Sequence, residues 1–305
     1  MTPPPDRSSS HGAARVSILD FGRVVRTLPA PMSRSTTPGS GRDFVEAMTV
    51  PVRQSMAAVR WLEGRVVNRP KLEEITPEKA ALTDGDCVSQ EILLVALRDR
   101  YPGVGLSVEE DTPTAQLFRD SRSDQTVVID PIDGTLRYLR RDGVYAILVG
   151  LERDGRVEAS LVGLPPSGLL IRAVRGEGAE ISSWDGSFHP ALRVRPGRDL
   201  YVSYGLPEDV RSRLEALGHK LVTAAGGNIG VAPLVEGSAG GLRLSTSADG
   251  LSRRCWVSAL PTQEAGGVIE AIDGVLPEQY APGLSGVLVG SSAEAVSRLR
   301  AALES

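Results

Sequence analysis

The sequence predicts a mixed fold, α+β in its first half and α/β in its second, and two observations carry that prediction. β-rich runs at residues 127–129, 144–151 and 159–164 follow one another across Arg-Asp-Gly turns, and residues 169–174 continue them before Gly176-Glu-Gly178, as in an antiparallel sheet. Further on, strand-like residues 201–204, a helix near 207–217, a strand at 220–223 and a helix near 230–236 alternate, the signature of an α/β half.

The remaining elements follow in order. Val45, Met48, Val52, Met56, Val59 and Leu62 recur at threes and fours, so residues 44–67 read as an amphipathic helix. Residues 69–79 mix charges with two prolines and read as an exposed, mobile loop. A second helix places Ile92, Leu93, Ala96 and Leu97 on one side and ends near Tyr101-Pro102-Gly103. Residues 105–108 read as a strand, and a strand at 286–289 with a helix at 293–303 closes the chain. There is no internal repeat.

A chain of 305 residues can hold two subdomains, taken here as 43–180 and 181–305, behind a Pro-, Ser-, Thr- and Arg-rich tail at 1–42. The tail reads as disordered or as an upstream extension; residues 16–21 could pack locally, and a transit peptide is a minor alternative. A net charge of −4 gives no broad basic field, which argues against a nucleic-acid polymer as partner. No apolar run has the length of a membrane span, and no secretory signal is apparent. Cys87 and Cys255 make no disulfide framework, and His11, His189 and His219 have no ligand spacing. A cytoplasmic protein with an oxygen-ligand metal fits best.

The most informative stretch is Asp130-Pro131-Ile132-Asp133-Gly134-Thr135, after the apolar run Val127-Val128-Ile129. Pro131 holds the backbone extended, so Asp130 and Asp133 can converge while the Ile132 carbonyl turns the same way. Hard oxygen ligands suit Mg²⁺. Gly134-Thr135 opens a short helix whose free amides would face an anion held by the metal. The alternative is an ordinary Asp-Gly turn. Glu109 follows the strand at 105–108 and reads either as a third acidic ligand or as part of a solvated Glu109-Glu110-Asp111 turn. Asp86 precedes the second helix, where an N-cap is its ordinary role.

Asp-Pro-Ile-Asp-Gly-Thr resembles the core motif of the inositol monophosphatase superfamily, Mg²⁺-dependent phosphatases of small phosphorylated metabolites. The resemblance spans roughly residues 43–303, including Ala173-Val-Arg-Gly-Glu-Gly-Ala179 and Glu264-Ala-Gly-Gly267, and implies a layered αβαβα sandwich. It implies Glu109, Asp130, the Ile132 carbonyl and Asp133 as metal ligands, Gly134 and Thr135 as phosphate-binding, and Thr135 oriented by Asp86 to position the attacking water. Glu109, Thr135 and Asp86 are thereby the catalytic set. Arg137-Tyr-Leu-Arg-Arg-Asp-Gly-Val-Tyr-Ala-Ile looks closer to the adenosine bisphosphate nucleotidase branch. Homodimers are common in the family.

The chain departs from the pattern at one decisive place. Family members carry a Trp-Asp pair whose Asp binds a second metal, at the start of the helix that ends in Glu-Ala-Gly-Gly; here that position, ten residues before Glu264, is Arg254. A guanidinium cannot ligate Mg²⁺ and repels it. Arg254 reads as a surface cation or as a bidentate grip on a substrate phosphate. Pro261 falls inside the same helix, and Gly241-Leu-Arg-Leu replaces an acidic substrate contact. Asp249 could stand in for the lost acid, but Asp249-Gly250 reads better as a turn. Two functions follow: Mg²⁺-dependent hydrolysis of a sugar phosphate, inositol phosphate or nucleotide, or a repurposed member that binds a ligand, regulates, or does non-hydrolytic chemistry.

Overall fold

The computed structural model describes residues 36–304 except 73, 75, 119, 120, 122 and 185, so most of the tail, including 16–21, lies outside the described residues. Helix α1 (Gly41–Leu62) starts at Ser40, whose hydroxyl accepts from the Asp43 amide, and buries Phe44, Val45, Met48, Val52, Met56 and Val59 along one stripe. After a one-turn helix α2 (Pro77–Ala80), α3 (Asp84–Arg100) opens with a capping box between Thr83 and Asp86.

The buried face of α3 differs from the expected one: Ser89, Gln90, Leu93, Leu94 and Leu97 point inward, while Ile92 and Ala96 are only partly covered. Its polar members are buried because they have partners. Ser89 Oγ donates to the Pro131 carbonyl at 2.7 Å and Gln90 Nε2 to the Glu110 carbonyl at 2.6 Å. These bonds tie the helix to the two acidic stretches of the site.

The first sheet contains β1 (Gly105–Ser107), β2 (Gln125–Asp133), β3 (Ala146–Arg153), β4 (Arg156–Leu164), β5 (Leu169–Val174), β6 (Gly178–Ser182) and β7 (His189–Pro190), in that spatial order. Only β1 and β2 run parallel. The second sheet has order β11-β12-β10-β8-β9, from β8 (Asp199–Val202), β9 (Lys220–Thr223), β10 (Ser238–Leu244), β11 (Val268–Ala271) and β12 (Gly286–Gly290). Helices α4 (Thr135–Arg140), α5 (Glu208–Ala216), α6 (Gly226–Gly230), α7 (Arg254–Glu264) and α8 (Ala293–Glu304) complete the chain.

Strand alternation builds the layers. Val127, Ile129, Ile147, Val149 and Leu161 pack with α1 and α3, whereas Val128, Leu148, Val162 and Ile171 face Ile229 of α6 and Val257 and Leu260 of α7. That inner layer also meets Ile269, Val287 and Val289 of the second sheet, whose other face packs Leu200, Val202, Leu242 and Leu288 against α5 and α8. The result is the layered αβαβα sandwich. Gly150 lets α7 approach, because a Cβ there would lie 2.5 Å from Val257 Cγ2. Helix α7 continues through Pro261 to Glu264 with its middle turns buried.

Three further readings are corrected. The strand does not stop at Asp130: β2 pairs on through Asp133 opposite Ala146, with a register shift between Asp130 and Asp133, because Pro131 has no N–H to give the ladder. The helix expected near 230–236 is instead α6 and a 3-10 turn at Ala232–Leu234, since the glycines of 226–230 form the tighter element next to the first sheet. The polar loop at 69–79 is not wholly exposed, since Lys71 is tied down. Among the described residues no helix is long and apolar enough to cross a membrane.

Candidate active site

The site forms where β1, β2, α3, α4, α6 and α7 meet. Gly134, at φ 92°, turns the chain from β2 into α4, and a Cβ there would come 2.7 Å from Ala225 Cβ before α6, so this junction requires glycine. Tyr138 Oη donates to the Val59 carbonyl at 3.0 Å and anchors α4 to α1.

Asp86 and Thr135 meet as expected. Asp86 Oδ2 accepts from the Thr83 amide at 2.8 Å and the Thr83 hydroxyl at 2.7 Å, so Thr83 is the N-cap and Asp86, already inside α3 and not before it, closes the capping box. Thr135 Oγ1 lies 3.0 Å from Asp86 Oδ1 and 3.1 Å from the Ile132 carbonyl. Burial pushes the Asp86 carboxyl up to about 7, against the pull of the Thr83 and Thr135 hydrogen bonds. One hydroxyl proton cannot serve both acceptors. Above about pH 7 the Thr135 hydroxyl donates to the Asp86 carboxylate; below it a protonated Asp86 can donate to Thr135 Oγ1 and leave the Thr135 proton to Ile132.

Glu109 and Asp130 also converge, but around a side chain. Arg254 Nη1 donates to Glu109 Oε2 at 3.0 Å and to Asp130 Oδ2 at 2.8 Å. Lys71 Nζ lies 3.0 Å from Glu109 Oε1 and 2.7 Å from Glu110 Oε1. Asp130 and Glu109 keep the guanidinium firmly protonated. Burial drives the Asp130 carboxyl well above its ordinary range, opposed by Arg254, whereas at Glu109 the charges of Arg254 and Lys71 overcome burial and hold the carboxyl low.

Asp133 points toward α6 and accepts from the Gly227 amide; burial raises its carboxyl, opposed by Arg243 and that amide. Arg254 therefore faces carboxylates and is not the free surface cation that was one reading of its sequence position. Asp249 lies in an exposed turn, as favoured. Lys71, Arg243 and Gly227 were missed. The only signal for Lys71 was the need of Glu109-Glu110 for a counter-charge, which a charged loop does not advertise.

The oxygen donors of this site set what cation they could hold. Mg²⁺ needs near-octahedral oxygens at about 2.0–2.1 Å, and the point between Glu109 and Asp130 is taken by the Arg254 guanidinium. The Ile132 carbonyl is engaged by Thr135 and Asp133 by Gly227. With Arg254 seated, these residues do not fit a divalent ion. Among the described residues, no group of three or more His, Cys, Asp or Glu is placed to hold one.

A carboxylate-rich strand end facing a short helix within an αβαβα sandwich defines a phosphatase-type architecture. Residues 48–213 match the sequence profile of the inositol monophosphatase family. The chain belongs to the inositol monophosphatase family, whose members are typically metal-dependent. It is 32% identical over 119 residues to Nus factor SuhB of Pasteurella multocida, a stretch covering 39% of this chain and 41% of that protein's length. The extragenic suppressor protein SuhB of Bartonella henselae shares the fold with a TM-score of 0.65 at 16% identity, over 86% of this chain and 98% of that one. Inositol monophosphatase from Anabaena matches with a TM-score of 0.62 at 17% identity, over 86% and 96%. None of these likenesses selects the adenosine bisphosphate nucleotidase branch.

Proposed function

We propose that this chain keeps the family's cleft as a binding site for a small phosphorylated metabolite but does not hydrolyse it through a metal. The observation that carries this reading is the Arg254 guanidinium bridging Glu109 and Asp130. A phosphomonoester needs charge neutralisation and an activated water, which in a carboxylate site a divalent ion supplies. Arginine stays protonated and cannot generate hydroxide. The Pasteurella relative is named as a Nus factor, which accords with a binding role.

The test is phosphate release from a panel of sugar phosphates, inositol phosphates and nucleotides at millimolar Mg²⁺, with thermal-shift binding on the same panel. No release is expected, together with a ligand shift that survives Asp130→Asn. Mg²⁺-dependent release abolished by Asp130→Asn would overturn the reading. It would favour a second one, a Mg²⁺-dependent phosphatase, which draws support from the assembled Asp86, Thr135 and Ile132 network.

A further inference from the structure

We propose that Lys71 and Arg254 together are a built-in substitute for a divalent cation, Arg254 bridging Glu109 to Asp130 and Lys71 bridging Glu109 to Glu110, which makes this strand-end pocket independent of metal. The inference rests on the non-hydrolytic reading above and adds a physical role for the pair.

Glu109 has one cation on each carboxylate oxygen, Lys71 on Oε1 and Arg254 on Oε2. The two side chains bring two positive charges, the charge of one divalent ion, to Glu109 and to its neighbours on either side, Asp130 beside Arg254 and Glu110 beside Lys71. They arrive from unrelated places, the loop before α2 and the first residue of α7. Arg254 sits there against local preference, since a helix N-terminus carries positive dipole charge and disfavours cations. Its neighbour Arg253 is likewise turned to a carboxylate, pairing with buried Glu152. The carboxylates behind α7, and not the helix, set where these arginines point.

The substitution is incomplete in one respect. Asp130 Oδ1 is buried with no hydrogen-bond partner among the described residues. Arg254 Nη1, reaching from one side, covers Oδ2 and leaves Oδ1 bare, an acceptor an ion could use once the guanidinium is gone. Without Arg254 the paired carboxylates must gain a proton or a cation.

Isothermal titration calorimetry and thermal unfolding of the full chain with MgCl₂ test this. The wild type is expected to give no binding heat and no shift in Tm. Arg254→Asp is expected to bind Mg²⁺, with Tm rising by about 2–3 °C at ten times the Kd. Arg254→Lys, which keeps the charge, is expected to behave like the wild type. Should Arg254→Asp fail to fold, Lys71→Met provides the second arm, since it uncovers Glu109 Oε1 and Glu110 and should gain a smaller Mg²⁺-dependent rise. A wild type that responds to Mg²⁺ as strongly as the variants would overturn the substitution, and so would variants that fold without responding. That last failure would leave the non-hydrolytic reading standing, because phosphate release by the wild type is a separate measurement.

Discussion

Replacing Asp86 with asparagine should remove a pH dependence of stability that few other residues of this chain share. Its carboxyl lies in a pocket that raises it from 3.8 to about 7, burial being the largest cause. An acid whose folded pKa is raised stabilises the fold fully below its unfolded pKa and loses that contribution as pH climbs through the folded one. The window is therefore about pH 4 to 7, and the shift corresponds to on the order of 4 kcal/mol across it. Asparagine fits the same partners: its carbonyl can accept from the Thr83 amide and hydroxyl, and its amide can donate to Thr135 Oγ1, which then donates to Ile132. The variant should match the wild type near pH 4 and exceed it by a growing margin as pH rises to 8. Urea unfolding at half-unit pH steps measures this. A wild-type stability that does not decline from pH 5 to 7 relative to Asp86→Asn would refute a protonated Asp86.

Three other substitutions probe what holds the site. Gly150→Ala drives a methyl into Val257 and should cost about 1–3 kcal/mol in urea unfolding, as overpacking does. Ser89→Ala removes the donor to the Pro131 carbonyl and the contact with Ser55 Oγ at 2.6 Å; a loss of about 1–3 kcal/mol is expected, and none would show that water takes over the carbonyl. Glu264 accepts from the Gly176 and Gly178 amides at 3.0 Å each, so Glu264→Ala should lower the unfolding midpoint and speed amide exchange at those two glycines.

The sequence made the framework legible where one signal dominated. The α1 stripe was readable because its apolar spacing repeats over many turns, and the β3–β4 hairpin because Arg153-Asp154-Gly155 separates two β-rich runs. The second sheet was harder. Strand β10, Ser238-Ala-Gly-Gly-Leu-Arg-Leu, carries little β propensity and exists because β8 and β12 flank it, and short β11 and β7 depend on their neighbours in the same way. At the site, the spacing of the aspartates announced the acidic half, while the cations were legible only as residue types. Nothing local tells Lys71 or Arg254 which carboxylate lies beyond it. The buried face of α3 was misread because Ser89 and Gln90 look like solvent residues until their backbone partners are known.

Helix α7 lies between the two sheets and comes late in the chain, so Arg254 reaches Asp130 from 124 positions away. In a refolding chain the first sheet can form from largely local hairpins, and Glu109 and Asp130 are then in place while the guanidinium has yet to dock. During that interval the acidic pair is open to dissolved cations. Mg²⁺ should therefore compete with the incoming helix and slow the last folding phase of the wild type.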